Sequence, residues 1–314
     1  MDEGKLTVGG QAVLEGVMMR SPKAYTVVVR KPNGEIVAKE AHWRSVSARF
    51  PLLSRPFLRG VVVLVEALVN GLDALTFSAN QVLEDEDKAD KPLGPWAMAG
   101  TIILAFGLGL LLFVVAPHYL SVLIGRIGPL AFGVKSVAFH VVDGIIKLAV
   151  FLAYIWLIGY IRDIRRVFQY HGAEHKSIYA YEAGEELTVA NARRYTTLHP
   201  RCGTAFIIVV LLISIALFAM VFPLLTSDRG QAGWAIHLFY VFIKILLLFP
   251  IAGAAYELNR YASRHMDHLL LKAAVAPGLW VQKLTTREPT DDQIEVALLA
   301  LKKALDIEAA QSAS

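Results

Sequence analysis

Thr204-Ala-Phe-Ile-Ile-Val-Val-Leu-Leu-Ile-Ser-Ile-Ala-Leu-Phe-Ala-Met-Val-Phe-Pro-Leu-Leu225 contains no charged side chain. As a helix it is long enough to cross a bilayer, for which about 20 apolar residues suffice. Similar runs lie near 97–116, 138–161 and 234–257. They explain a chain that is 55% hydrophobic and only 18% charged, with a mean hydropathy of +0.50. Ordinary soluble proteins are less apolar and more charged. The sequence therefore predicts a mainly α, multi-pass membrane protein with about four transmembrane helices, near 97–116, 138–161, 204–225 and 234–257. The net charge is +4, but the basic residues cluster beside the apolar runs, where topology explains them, and no nucleic-acid partner is expected. The expected partners are the lipid bilayer and a homo-oligomer or membrane-protein complex. The single cysteine, Cys202, excludes an intrachain disulfide framework. Met1-Asp-Glu-Gly-Lys5 lacks the basic-then-apolar pattern of a cleaved signal segment, so none is expected.

Between the second and third runs, residues 162–203 carry Arg162, Arg165, Arg166, Lys176, Arg193, Arg194 and Arg201, whereas the short loops near 117–137 and 226–233 carry only Arg126, Lys135 and Arg229. Lys and Arg mark the cytoplasmic side, so 162–203 and both termini are expected in the cytoplasm. The implied organisation is a β-rich cytoplasmic element (1–54), an amphipathic helix and acidic linker (55–95), a first transmembrane hairpin (96–161), a cytoplasmic loop (162–203), a second hairpin (204–257) and C-terminal amphipathic helices (258–314). In the first part, Tyr25–Arg30 and Glu35–Lys39 flank the turn Lys31-Pro-Asn-Gly34. Residues 8–20 read as one further strand with glycine-permitted bends, and the whole as a small polar sheet in water. Residues 55–82 are long enough to span, but Arg59, Glu66, Asn70 and Asp73 favour an amphipathic helix lying on or dipping into the membrane. Thr290-Asp-Asp-Gln293 is a capping-box start for a last helix through about Ile307.

The cytoplasmic loop contains His171-Gly-Ala-Glu-His175. On a helix, positions i and i+4 share a face, so both imidazoles can reach one metal ion, in the residue order of the inverzincins. Glu174 would serve as general base on a metal-bound water. His199-Pro-Arg-Cys202, in the same loop, offers His199 and Cys202 as further ligands, and the soft thiolate favours Zn2+ among divalent metals. Four ligands would close the site; three would leave it open for catalysis. The alternative for the pentad is a polar helix whose histidines pair with Glu182, Glu185 or Glu186, and for Cys202 a small packing residue. Arg193, Arg194 and Arg201 are candidate contacts for an anion or lipid head group, although topology alone predicts them. Glu15, beside Gln11 and Arg20 in the glycine-rich N-terminal segment, is placed to complete the metal shell if the sheet docks on the loop. Gly9-Gly10 precedes no phosphate-binding helix and is not read as a nucleotide loop.

Ionisable residues also occur within the spans. His140, Asp143 and Lys147 lie on one face of the second; His237 and Lys244 repeat the His-to-Lys spacing in the fourth. Thr101 and Thr204 open the first and third spans, and Pro117 and Pro223 close them, which suggests a tandem duplication of helical hairpins. Intramembrane charge is costly and usually functional. The expectation here is nevertheless that both lysines snorkel to the outer interface. Glu257 sits at the inner end of the fourth span, as a metal ligand or proton partner. His265 and His268 fit a surface helix.

Gly9-Gly-Gln-Ala-Val-Leu-Glu-Gly-Val-Met-Met-Arg20, Tyr170-His-Gly-Ala-Glu-His-Lys176, His199-Pro-Arg-Cys-Gly-Thr204 and Leu284-Thr-Thr-Arg-Glu-Pro289 resemble the YqhQ-like bacterial membrane proteins, domain-of-unknown-function family 1385. The resemblance implies a bacterial plasma-membrane location and supplies neither substrate nor activity. Three functions follow as expectations: a metal-dependent hydrolase at the cytoplasmic face; a non-enzymatic membrane adaptor or membrane-protein biogenesis factor braced by a structural metal; and a small transporter.

Overall fold

The computed structural model describes residues 6–83, 95–127, 132–134, 136–225, 234–264 and 268–313. The chain opens with four strands, β1 (Gly9–Val13), β2 (Gly16–Arg20), β3 (Ala24–Arg30) and β4 (Ile36–His42), paired antiparallel in the order β1-β2-β3-β4. The Lys31–Gly34 turn forms as the sequence predicts. Gly34 has φ +89°, a left-handed conformation that glycine adopts without a Cβ clash, and its N–H donates to the Lys31 carbonyl. Residues 8–20, read as one strand, instead fold back on themselves. Val13 pairs with Gly16, so Leu14 and Glu15 form a two-residue turn. Glu15 takes φ 51°, and its carboxylate pairs with Arg166. A local reading cannot supply that distant partner.

The sheet is covered on both faces rather than lying in water. Helix α1 (Val46–Arg49) and a 3-10 turn (Pro51–Ser54) lead into α2 (Leu58–Leu83). One sheet face, with Val13, Met18, Tyr25, Val27 and Val29, packs on Ala74 and Phe77 of α2. Beyond α2 come α3 (Pro95–Leu110), a π-helical turn (Leu111–Val115), α4 (Ala116–Ile127), α5 (Val137–Ile158), α6 (Arg162–Ala183), α7 (Val189–Arg193), α8 (Gly203–Leu225), α9 (Trp234–Arg264), α10 (Leu269–Thr285) and α11 (Asp291–Ala313). The other sheet face, with Val17, Met19, Ala24 and Val28, packs on α6 and α11 through Tyr170, Ala173, Ala297 and Leu301. Each large apolar side chain fully buried this way contributes roughly 1.5–3 kcal/mol. The capping box forms half its bonds: the Thr290 N–H donates to Gln293 Oε1 at 2.9 Å. The last helix extends past Ile307 to Ala313.

Five helices are long and apolar enough to cross a membrane: Leu58–Val82, Ala99–Ile127, Val137–Ile158, Gly203–Leu224 and His237–Ala262. This is one more than the sequence reading, and the extra one is α2. Its three charged residues are matched by partners outside the helix, whereas the side-chain nitrogen of Asn70 is buried without one. Arg59 pairs with Glu257 on α9, Glu66 accepts from Ser45 Oγ and the Val46 N–H, and Asp73 holds Lys39 and the Tyr25 hydroxyl. Glu257 is thereby committed to Arg59 and lies apart from the group formed by His171, His175 and Cys202. Helix α5 packs on α4 and α8, α8 on α9 and α10, and α2 on α9. The lysines do not snorkel: Lys147 and Lys244 are 6% and 2% exposed, and both donate to Asp143. The acidic linker at 84–92 and His265 lie outside the described residues; His268 precedes α10 and is exposed.

Candidate metal centre

Helix α6 carries the pentad and ends at Gly184, whose φ of 75° suits a left-handed helix cap. As the spacing requires, His171 and His175 lie on one face, with ring centroids 4.5 Å apart. Cys202 stands just before the first turn of α8. Its sulfur is 3.2 Å from His171 Nε2 and receives the Thr204 N–H at 3.4 Å. Ligand atoms of His171, His175 and Cys202 all lie within 4.8 Å of one another.

Both imidazoles are oriented from behind. His171 Nδ1 is 2.9 Å from the Thr285 carbonyl oxygen and His175 Nδ1 is 2.5 Å from that of Thr197. A carbonyl only accepts, so each Nδ1 carries the hydrogen and each Nε2 presents its lone pair to the cluster. This is the outer hydrogen bonding that metal-ligating histidines use. His175 is 1% exposed, and its Nε2 has no hydrogen-bond partner. An unpaired buried nitrogen costs about 1–3 kcal/mol, and a metal ion would satisfy it. Burial pushes the His175 imidazole below its ordinary range, with Cys202 opposing, which keeps it in the neutral form that binds metals.

His199 lies beside this group rather than in it. Its ring centroid is 5.6 Å from that of His175, its Nδ1 accepts the Arg201 N–H at 3.3 Å, and its Nε2 is 3.6 Å from Glu182 Oε1. Gln282 of α10 clamps its backbone from both sides, donating to the His199 carbonyl at 2.8 Å and accepting its N–H at 2.7 Å. Burial pushes the His199 imidazole down to about 4, with Glu174 opposing.

Glu174 is buried against β1. Burial pushes its carboxyl above the usual carboxylate range, while His171, His199 and the Gly10 N–H pull the other way. A Cβ at position 10 would stand 2.7 Å from Glu174 Cγ and 2.8 Å from Oε1, so any residue other than glycine there forces the Glu174 side chain to shift. Glu15, expected near the metal, instead grips Arg166 and lies 3.4 Å from the Tyr170 hydroxyl. It anchors the β1–β2 turn to α6.

The segment after α10 closes the far side of α6. The Arg287 N–H bonds the Phe168 carbonyl at 2.9 Å, and Glu288 pairs with buried Lys176 at 2.6 Å. By residue type alone the motif at 284–289 signals no chemistry, and its place beside α6 rests on these contacts. All four such motifs meet at this one helix: Gly10 and Glu15, the pentad, His199–Thr204 and Thr285–Glu288. The arginines proposed for anions are already engaged, Arg193 by Asp291, Arg194 by Glu185 and Arg201 by Glu182. A cavity of about 480 Å³ lies between the sheet and α2, bordered by Gly9, Gly10, Gln11, Arg20, Asn70 and Arg201. Gly10 stands between it and Glu174, which does not itself line it.

The family model for Protein of unknown function (DUF1385) matches residues 55–307. Over 312 residues the chain is 32% identical to the uncharacterized protein YqhQ of Bacillus subtilis (strain 168), covering 96% of this chain and 93% of that protein. No solved structure matches. By both comparisons, this chain belongs to the YqhQ-like family of bacterial proteins of unknown function, DUF1385.

Proposed function

We propose that this protein is a multi-pass plasma-membrane protein with a cytoplasm-facing metal centre, and that the centre is a metal-dependent hydrolase. The observation that carries the metal is the buried, unpartnered Nε2 of His175, converging with His171 Nε2 and Cys202 Sγ while both Nδ1 atoms are held by carbonyls. Zn2+ suits a His/His/Cys set, and other divalent metals are less well matched to the thiolate. Three protein ligands leave a position open, which favours catalysis over a closed brace. The metal would supply Lewis acidity. Glu174 takes and returns the proton of the attacking water, a task for which a carboxyl raised by burial is suited. The adjoining cavity holds the substrate, with an apolar wall from Val63 and Ala67 and a polar wall from Gln11 and Arg201.

The membrane reading draws support from apolar side chains that face outward on the candidate spans, such as Ile103 and Leu104 at 72% and 63% exposure. The sheet, α6 and α11 share one core, so they must lie on one side of the membrane. Between the sheet and α6 stand α2, the α3–α4 helix and α5, so an even number of these cross. Helix α2 is the one that stays behind, since Ala74 and Phe77 pack on the sheet. Four crossings then put both termini beside the pentad, on the side richer in Lys and Arg.

The burial of His175 and Cys202 favours a second reading, a structural metal bracing an adaptor. The test is metal content of detergent-purified protein together with complementation of a deletion strain. Near-stoichiometric zinc, lost in His171→Ala/His175→Ala, is expected for either reading. Glu174→Gln that binds metal but fails to complement supports the hydrolase; full complementation by that variant assigns the brace. Wild type without metal, under conditions that avoid stripping, overturns both.

A further inference from the structure

A second cluster of ionisable groups lies in helices that contribute no metal-site residue. Asp143 of α5 accepts through one oxygen, Oδ2, from Lys147 Nζ at 2.7 Å and from Lys244 Nζ of α9 at 2.6 Å. Lys244 Nζ is 3.3 Å from His118 Nδ1 on α4, and His118 Nε2 is 3.1 Å from His237 Nδ1 on α9. All five side chains are buried. Helix α8 presents no ionisable residue to them, only the rings of Phe218 and Phe222, whose centroids lie 5.8 and 6.0 Å from Lys244 Nζ. His140 on α5 is a further ionisable neighbour, as is Tyr119 on α4, whose ring centroid lies 5.4 Å from that of His118 and 6.0 Å from that of His237.

The charges do not balance. Two ammonium groups face one carboxylate, which leaves one surplus positive charge in an apolar bundle, where it is costly. The hydrogen bonds also have a direction. An ammonium has no acceptor, so Lys244 donates to His118 Nδ1. The hydrogen of His118 is then on Nε2, pointing at His237 Nδ1, and that of His237 is on Nε2. We propose that Lys244, His118 and His237 form a proton relay, loading and unloading one proton between the Asp143 cluster and water at the start of α9. On unloading, a Lys244 N–H breaks as His118 Nδ1–H forms. His118 Nε2–H breaks as His237 Nδ1–H forms, and the His237 Nε2 proton leaves to water. Lys244 remains as a neutral amine, Asp143 stays paired with Lys147, and the surplus charge is gone.

The relay ends at His237, the most exposed of the five together with Lys147, at 7% and 6%. His237 stands in the first turn of α9, within electrostatic reach of Arg126, an exposed residue in the last turn of α4. Toward the other end, α5 has no charged side chain between Leu148 and Ile158. On the topology above, the His237 end faces the outside of the cell. The site therefore exchanges protons with one compartment, as a proton-coupled switch would, and is no continuous channel.

The test follows the lysine's own hydrogens in the full chain, labelled with 15N-lysine and 15N-histidine in lipid nanodiscs. Lys244→Met assigns the signal. His237→Phe is expected to slow exchange of the Lys244 Nζ hydrogens with water by on the order of tenfold or more, while His140→Phe leaves it unchanged. No slowing in His237→Phe, or equal slowing in His140→Phe, overturns the relay. A structural ion pair would not distinguish these variants. In wild type, the His118 and His237 ring signals are expected to exchange tautomers together as pH changes. A His118 tautomer that stays fixed while His237 titrates also overturns it.

Discussion

His171 Nε2 and Cys202 Sγ lie 3.2 Å apart although they are 31 positions apart in the chain. The histidine is set by α6 and the Thr285 carbonyl, the sulfur by the entry to α8 and the clamp of Gln282 on His199. These supports hold the pair from both sides, and on the proposed reading it is half of a metal site. Cys202→Ser is therefore expected to weaken zinc binding beyond the roughly 10- to 100-fold that loss of an outer partner costs. Cobalt-loaded wild type should show thiolate-to-metal charge-transfer absorption, absent in the serine variant. The same spectrum in both would remove Cys202 from the ligand set.

Gly10 gives a test of Glu174 that leaves the ligands intact. A methyl at position 10 would sit 2.7 Å from Glu174 Cγ, so Gly10→Ala must push the carboxyl aside or lift β1 off α6. The expected cost is about 1–3 kcal/mol of stability, with metal content retained and complementation lost as in Glu174→Gln. A fully functional Gly10→Ala would mean that the position of Glu174 is unimportant.

The pentad, the hairpin turn at 31–34 and the long apolar runs were legible because each is local. Helical spacing fixes the face shared by His171 and His175, and Asn33-Gly34 fixes a turn. What escaped depended on contacts made far along the chain. The charges of α2 looked like a water-facing stripe because Glu257 and Lys39 are nowhere near them in sequence. Val8–Arg20 looked continuous because the turn at Glu15 is held by Arg166. His118 was missed altogether. Its only signal is a lone histidine beside Pro117. The matched His-to-Lys spacings of α5 and α9 suggest a duplication and leave the lysines at the outer interface, whereas Lys147 and Lys244 share the Asp143 carboxylate.

The Glu15–Arg166 pair should therefore be coupled energetically. The two side chains are 23% and 43% exposed, so water screens them, and a double-mutant cycle with Glu15→Gln and Arg166→Gln is expected to give about 1 kcal/mol. Chemical denaturation measures it. A coupling near zero would show that the turn is fixed by the sheet alone.

His199 predicts a pH effect on the metal-free protein. Its ordinary value is 6.5 and burial holds it at about 4 in the fold. As pH falls between these values the unfolded chain binds the proton first, so this contribution to stability is fully present above about 6.5 and is lost toward about 4. Glu174, raised by burial, acts in the opposite direction, so the comparison is between wild type and His199→Gln. The variant is expected to lose less stability on acidification across that window. Parallel curves would place the imidazole in water.

Sidedness tests the count of crossings. Glu35 and Arg126 are both exposed, one at the sheet's hairpin and one at the end of α4. On the proposed topology, which keeps α2 on the inner side, Arg126→Cys is expected to react with an impermeant maleimide in intact cells, and Glu35→Cys only after permeabilisation, each judged against the background of buried Cys202. The shared core of the sheet with α6 and α11 makes this prediction strict. If α2 crossed together with the other candidate spans, the sheet and pentad would lie on opposite sides, and Tyr170 could not pack on the strands. Labelling of Glu35→Cys from outside would therefore break either the single core or the orientation, and labelling of a second site on α11, Lys302→Cys, separates the two. Labelled together with Glu35→Cys, it inverts the orientation and keeps the core; unlabelled, it breaks the core.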